Sequence, residues 1–210
     1  MTNRPIAHRL SAALYDRLAR PQDEKLASLR RAVVGGAAGR VLEVGCGTGL
    51  NFAYYDWSHV QSLEATEPDP HMRRRAATRL QSLPEPQRGR VTLSDARAES
   101  LPFSDESFDS AVCTLVLCSV QDLEQSIREL RRVITASGEL RLLEHVRANG
   151  FAAGVQQAVQ PVYGWFSAGC RLNRDTKSAL VAGGFEVEVL QWTAFGPLLP
   201  AFVAVARPIA

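Results

Sequence analysis

The stretch Arg40-Val41-Leu42-Glu43-Val44-Gly45-Cys46-Gly47-Thr48-Gly49 restricts what this chain can fold into more than any other. Its first five residues, RVLEV, read as a strand entering a core, and glycines at alternate positions then break the extended run. A glycine loop between a strand and a helix lets the backbone approach a nucleotide-like ligand and aims free N–H groups at it. The spacing narrows the ligand. Gly45, Gly47 and Gly49 make G-x-G-x-G, whereas the dinucleotide pattern needs a third glycine or alanine where Leu50 stands. No Gly-Lys-Ser/Thr follows, which removes the P-loop reading as well.

Around this loop the chain alternates apolar runs with longer amphipathic stretches, the pattern of an α/β protein with a mostly parallel sheet. Strands are expected at 40–44, 60–66, 90–93, 108–117, 139–145, 185–192 and 202–206, with FDSAVCTLVL, the most hydrophobic, as the buried centre. Helices are expected at 8–34 with a break at Pro21, and at 51–55, 71–83, 123–134 and 174–182. Residues 148–170 carry no clean period. With 210 residues, 46% hydrophobic and 22% charged, the chain is expected to be one domain that buries about 70% of its unfolded surface. It divides into an N-terminal helical lid (1–39), a ligand-binding core (40–147), and a substrate-side segment with the last strands (148–210).

Several function classes are excluded. Lys+Arg 24 against Asp+Glu 22 leaves a formal +2, too balanced for a dedicated nucleic-acid binder. Arg73-Arg74-Arg75 with Arg79 reads as a solvated helix face. No run approaches the roughly 18 apolar residues of a membrane span, and the N-terminus lacks a secretory core, so no stable membrane insertion is expected. Cys46, Cys113, Cys118 and Cys170 are scattered without a C-x-x-C, suggesting neither a disulfide framework nor a bound metal. The first three lie in or beside expected strands and read as small buried hydrophobes. A reduced, cytoplasmic protein is the expectation.

Glu67, in ATEPDP at the end of the second strand, stands 18 positions after Gly49, near the offset of about 20 residues at which a carboxylate takes a ribose. Glu43–Gly49 together with Glu67-Pro68-Asp69-Pro70-His71-Met72 resembles the first two motifs of class I S-adenosylmethionine (SAM) methyltransferases. Ala98–Phe103 and Ser107-Phe108-Asp109 are similar to their adenine-side loop and the entry to their fourth strand. Glu129–Val133 and Ser137-Gly138-Glu139 are similar to the segment after it. The resemblance covers about residues 40–147 and implies a Rossmann-like, seven-stranded sheet with helices on both faces. A narrower resemblance is to the methyltransferase-like family whose animal members methylate alkyl thiols. It rests on Cys113–Val120, Glu144-His145-Val146 and Gly169–Thr176. Those members carry an N-terminal membrane anchor that the opening MTNRPIAHRL does not resemble.

The resemblance implies SAM as cofactor, with Glu43, Gly45, Cys46, Gly47, Thr48, Gly49 and Asn51 at its methionine end. It puts Glu67 on the ribose with Pro68 and Met72 nearby, Ala98 and Glu99 against the adenine, and Thr114 and Leu115 toward the sulfonium. The acceptor is expected to be a small molecule lined by Tyr15, Tyr163, Trp165 and Phe166, with Phe151 also in the wall.

Methyl transfer asks the protein to align acceptor, methyl and leaving sulfur and to exclude water. An alkyl thiol is already a few per cent thiolate at neutral pH and needs little help, whereas a hydroxyl needs a placed base. His145, ending the fifth strand on the edge where α/β sheets bind ligands, is the candidate for that base; a structural role capping the sheet is the other reading. The leading expectation is methylation of a small apolar thiol. O-, N- or C-methylation of a lipophilic metabolite and a non-catalytic SAM-binding module remain as alternatives. Nucleic-acid methylation is disfavoured, because Cys113–Val120 holds no proline or aromatic residue to stack a flipped base.

Overall fold

In the computed structural model, which describes residues 26–166, 169–196 and 198–209, seven strands hydrogen-bond into one sheet. They are β1 (Gly39–Val44), β2 (Val60–Thr66), β3 (Val91–Ser94), β4 (Phe108–Thr114), β5 (Ile134–His145), β6 (Phe185–Ala194) and β7 (Pro200–Pro208). The order across the sheet is β3-β2-β1-β4-β5-β7-β6. The first five strands run parallel, and β7 is inserted antiparallel between β5 and β6. The chain passes from β1 to β2 on one side and returns to β4 on the other, so the loop after β1 opens where the winding reverses, the position at which such sheets bind ligands.

Alternate residues of the central strands feed two cores. Leu42, Val44, Ala111, Cys113, Leu142, Phe202 and Ala204 face one; Val41, Val112, Leu143 and Val203 face the other. Helices α4 (Leu123–Val133) and α6 (Thr176–Ala182) close the first through Ile127, Leu130, Val133 and Leu180. Helix α1 (residues 26–34) and α2 (Pro70–Leu80) close the second through Leu26, Leu29, Val33, Ala76 and Leu80. Burial on both faces explains the unbroken apolar run of β4. A short helix α3 (Glu85–Arg88) precedes β3. Three helices start on aspartate caps: Asp69 accepts from His71 N and Met72 N, Asp122 from Gln125 N, and Asp175 from Ser178 N.

The sequence reading and the structure part company at a few places. The helix expected at 51–55 is a single 3-10 turn, Leu50–Ala53, because Asn51 and Phe52 are drawn into the interior. Strand β4 ends at Thr114 and not at 117, since Leu115 takes a left-handed φ of 59°. Strand β5 begins at Ile134, running through the expected turn at 137–138. Helix α2 stops at Leu80, three residues before the expected end.

The largest difference is the aperiodic stretch, which forms the 17-residue helix α5 (Gly150–Phe166). Among its described side chains, two glutamines one turn apart hydrogen-bond inward, beside Val159, which packs on Cys118, Cys170 and Leu172. Gln156, fully buried, accepts from Ala148 N and donates to Leu198 O. Gln160 donates to Cys170 O and accepts from Leu172 N. A helix docked by amides carries no apolar period to read. Among the described residues no helix is long and apolar enough to cross a membrane. Residues 1–25, with Tyr15 and most of the expected lid, lie outside the described residues.

Candidate active site

The glycine loop leaves β1 with Gly45, Gly47 and Gly49 all in the left-handed region. At two of them glycine is required for different reasons. A Cβ on Gly45 would lie 2.8 Å from Val116 Cγ2, so this residue lets the loop after β4 pack against the turn. A Cβ on Gly47 would meet nothing within 4 Å. Its freedom serves the conformation and leaves open room, the kind of cradle that a nucleoside ligand fills. Cys46 N donates to Thr66 O, and Gly47 N to Glu67 Oε2 at 2.9 Å, which ties the turn to the end of β2. Glu67 Oε1 accepts from Asp69 N, and burial raises its carboxyl above the usual range. Thr48 is held by Arg79, which donates to its hydroxyl and carbonyl oxygens.

Beneath the loop lies a buried polar network centred on Asn51. Its Oδ1 accepts from Arg30 Nη1, and its Nδ2 donates to Glu43 Oε1 at 2.9 Å and Thr114 Oγ1 at 3.0 Å. Tyr55 donates to Glu43 Oε2. Glu43, Asn51 and Thr114 are thereby brought together, with Glu43 below the turn and its carboxylate satisfied internally. Arg30 and Tyr55 escaped the sequence reading; the available signal was an arginine on the apolar stripe Leu26, Leu29, Val33.

Burial pushes the Glu43 carboxyl up to about 7, against the pull of its hydrogen bonds to Tyr55 and Asn51. The folded chain therefore holds a proton that the unfolded chain releases near pH 4.5. Stability contributed by the neutral form is full below that value and drains away as pH rises to about 7, a loss on the order of 3 kcal/mol. Glu43→Gln keeps the shape without the charge. Urea unfolding at pH 5 and pH 8 is expected to show the variant gaining on the parent at the higher pH, and equal gaps at both would remove burial as the cause.

The remaining sequence-assigned cofactor residues ring the same edge. Pro68 is exposed and Met72 half-buried at the start of α2; Ala98 is buried. Glu99 Oε1 accepts from Gln121 N, joining the loop after β3 to the turn before α4. Leu115, half-buried, holds the left-handed turn after β4.

At the end of β5 the buried Glu144 stands beside the sequence candidate His145. Glu144, wholly buried, accepts from the backbone N–H groups of Val116, Leu117 and Cys118 and so builds the turn after β4. His145, half-buried at the end of β5, packs edge-on against Phe195 with its Nδ1 3.6 Å from Cys170 Sγ. Cys118, in the turn that Glu144 holds, joins them: the donor atoms of Cys118, His145 and Cys170 all lie within 4.8 Å of one another. The hydrogen bond between the two thiols lowers Cys170 and raises Cys118. Positions 118, 145 and 170 are too far apart in the chain for spacing to have grouped them. Cys46 and Cys113 match the expectation of buried, unreactive thiols, burial pushing both well up. Phe151 does not belong to the expected wall: at 90% exposure it points to solvent on the outer side of α5. Residues 163, 165 and 166 fall in the last turns of that helix, and their side chains lie outside the described residues.

A methyltransferase-domain family model matches residues 42–142. The thiol S-methyltransferase TMT1B of Homo sapiens is 32% identical over 201 residues, covering 90% of this chain and 81% of that protein. The phosphatidylethanolamine N-methyltransferase of Cereibacter sphaeroides is 32% identical over 140 residues, 65% of this chain and 67% of its own. The chain belongs to the class I SAM-dependent methyltransferases. A SAM-dependent methyltransferase from Thermotoga maritima shares the fold with a TM-score of 0.69 at 22% identity, over 97% of this chain and 98% of that one. As a SAM-dependent methyltransferase the chain uses SAM as its cofactor, and the free space at Gly47 beside the Glu67 carboxylate fits a nucleoside there.

Proposed function

We propose that this methyltransferase acts on a small, apolar thiol. The observation that carries this reading is the state of the titratable groups at the ends of β1 and β5. Glu43 and Glu144 are turned into the protein onto internal donors. His145, the remaining candidate base there among the described residues, has Nδ1 against the Cys170 thiol. A hydroxyl acceptor would need a strong, free base; a thiol needs none, since a few per cent of it is already thiolate at neutral pH. The likeness to a thiol S-methyltransferase over four-fifths of that protein's length supports the same choice.

When bound, SAM supplies an electrophilic methyl carbon on its sulfonium. In this reading Gly45–Gly49 hold the methionine end, Glu67 the ribose, and Ala98 with Glu99 the adenine. Pro68 and Met72 pack beside the ribose, and Thr114 with Leu115 border the sulfonium. Asn51 and Glu43 act from below, fixing the turn and Thr114. Tyr15, Tyr163, Trp165 and Phe166 are the side chains that this reading assigns to the acceptor. The protein's work is alignment.

Purified protein incubated with SAM and an alkanethiol, a phenol or an amine is expected to yield the methyl thioether with only slow or no turnover of the other two. Turnover of the amine or phenol in preference to the thiol would replace the thiol reading with N- or O-methylation.

A further inference from the structure

We propose that Cys118, His145 and Cys170 form a site for one thiophilic metal ion, zinc, whose fourth position takes the thiolate of the acceptor. The second half rests on the thiol reading above; the first does not. Two thiols and an imidazole from three distant segments meet, the thiols in a small apolar cluster with Leu172 that Val159 and Leu199 border. Zinc bonded to sulfur at about 2.3 Å and to nitrogen at about 2.0 Å in a tetrahedron sets S···N near 3.5 Å and S···S near 3.8 Å. Cys170 Sγ and His145 Nδ1 already stand 3.6 Å apart. With the three donor atoms within 4.8 Å of one another, closure on an ion shortens any of these separations by no more than about 1.3 Å.

The surroundings hold the ligands in place. Glu144 fixes the turn that carries Cys118 through three N–H bonds. Arg171 N donates to Cys118 O, which locks the Cys170 segment to that turn, and Gln160 of α5 brackets Cys170 from the other side. Arg174 donates to Leu117 O and Val120 O at either end of the same turn. Supporting bonds of this kind orient ligands ahead of the ion.

Three protein ligands leave one tetrahedral position, the arrangement of zinc sites that bind a reactant and not merely a fold. An acceptor thiol taking that position would release its proton to solvent. Its sulfur would then bond to the methyl carbon as the sulfonium S–C bond breaks, giving a thioether and S-adenosylhomocysteine with the ion unchanged. His145 then serves as a ligand and not as the base.

The test uses the full-length protein with zinc and cobalt(II) as probes. Protein from zinc-supplemented growth is expected to carry one zinc per chain, lost to a chelator. The cobalt form is expected to show a thiolate-to-cobalt charge-transfer band that Cys170→Ser weakens several-fold and Cys118→Ser and His145→Ala also reduce. SAM binding by calorimetry, retained in at least Cys170→Ser, shows that the variant is folded. Ethanethiol is expected to shift the band. Zinc well below one per chain with no cobalt band, or a Cys118–Cys170 disulfide in its place, overturns the site. A band indifferent to ethanethiol overturns the acceptor position and leaves the metal site standing. A shifted band without thiol methylation overturns the thiol activity alone.

Discussion

Replacing Glu144 with alanine is expected to lower folding stability by about 3–5 kcal/mol. The carboxylate is wholly buried and accepts from Val116 N at 2.8 Å, Leu117 N at 2.9 Å and Cys118 N at 3.2 Å. These three donors face inward because Leu115, with its φ of 59°, turns the chain abruptly out of β4. A leucine does not hold that conformation unaided, and the carboxylate is what over-determines it. Alanine leaves three buried N–H groups without their acceptor, each worth about 1–3 kcal/mol, and water entering the vacated space recovers part of the sum. Glu144→Gln keeps the volume but turns an amide N–H₂ toward one or two of the donors, so its loss is expected to be about half as large. Urea unfolding at constant m-value gives the comparison. A loss under about 1 kcal/mol for Glu144→Ala would mean that the turn satisfies itself in another way. Against a total of roughly 5–15 kcal/mol the expected loss is a large share, and the turn joins β4 to the acceptor side, so function is expected to fall with stability.

Glu144 also shows why some of the site was hidden in the sequence. The position of β4 was legible because burial on both faces leaves a nearly unbroken apolar run, and β2 falls at Val60–Thr66 as expected. The glycine loop was legible because left-handed backbone writes itself as glycine, and Glu67 because it closes a strand at a fixed distance from that loop. A carboxylate whose partners are backbone N–H groups 26–28 positions away leaves no such mark. Nor does an arginine such as Arg30, which is spent on Asn51 under the loop. Helix α5 was illegible for a related reason: Gln156 and Gln160 dock it through hydrogen bonds, and an amphipathic period records only apolar contacts. The grouping of Cys118, His145 and Cys170 depends on three distant segments meeting, and only the folded register supplies it.

Valine at Gly47 is expected to weaken SAM binding by at least about 100-fold, or roughly 3 kcal/mol, with a smaller loss of fold stability. The residue sits at φ 57° with open space where its Cβ would be. A β-branched side chain in that backbone region costs about 1–3 kcal/mol of strain, felt by the free protein. The isopropyl group then stands in the room the cofactor needs, a cost felt only on binding. Gly45 has the same handedness and the opposite surroundings, with Val116 2.8 Å from where a Cβ would lie. Alanine there is expected to unsettle the packing of the two loops and to show chiefly as lost stability. Calorimetric titration of SAM paired with urea unfolding separates the two: Gly47→Val loses binding more than fold, and Gly45→Ala the reverse. If Gly47→Val bound SAM within tenfold of the parent, the open space at this turn would not be the cofactor's seat, and the cradle would have to be sought farther along the strand edge. The contrast makes the pair more informative than either variant alone, because a left-handed backbone is common to both positions and the surroundings of the added Cβ are opposite.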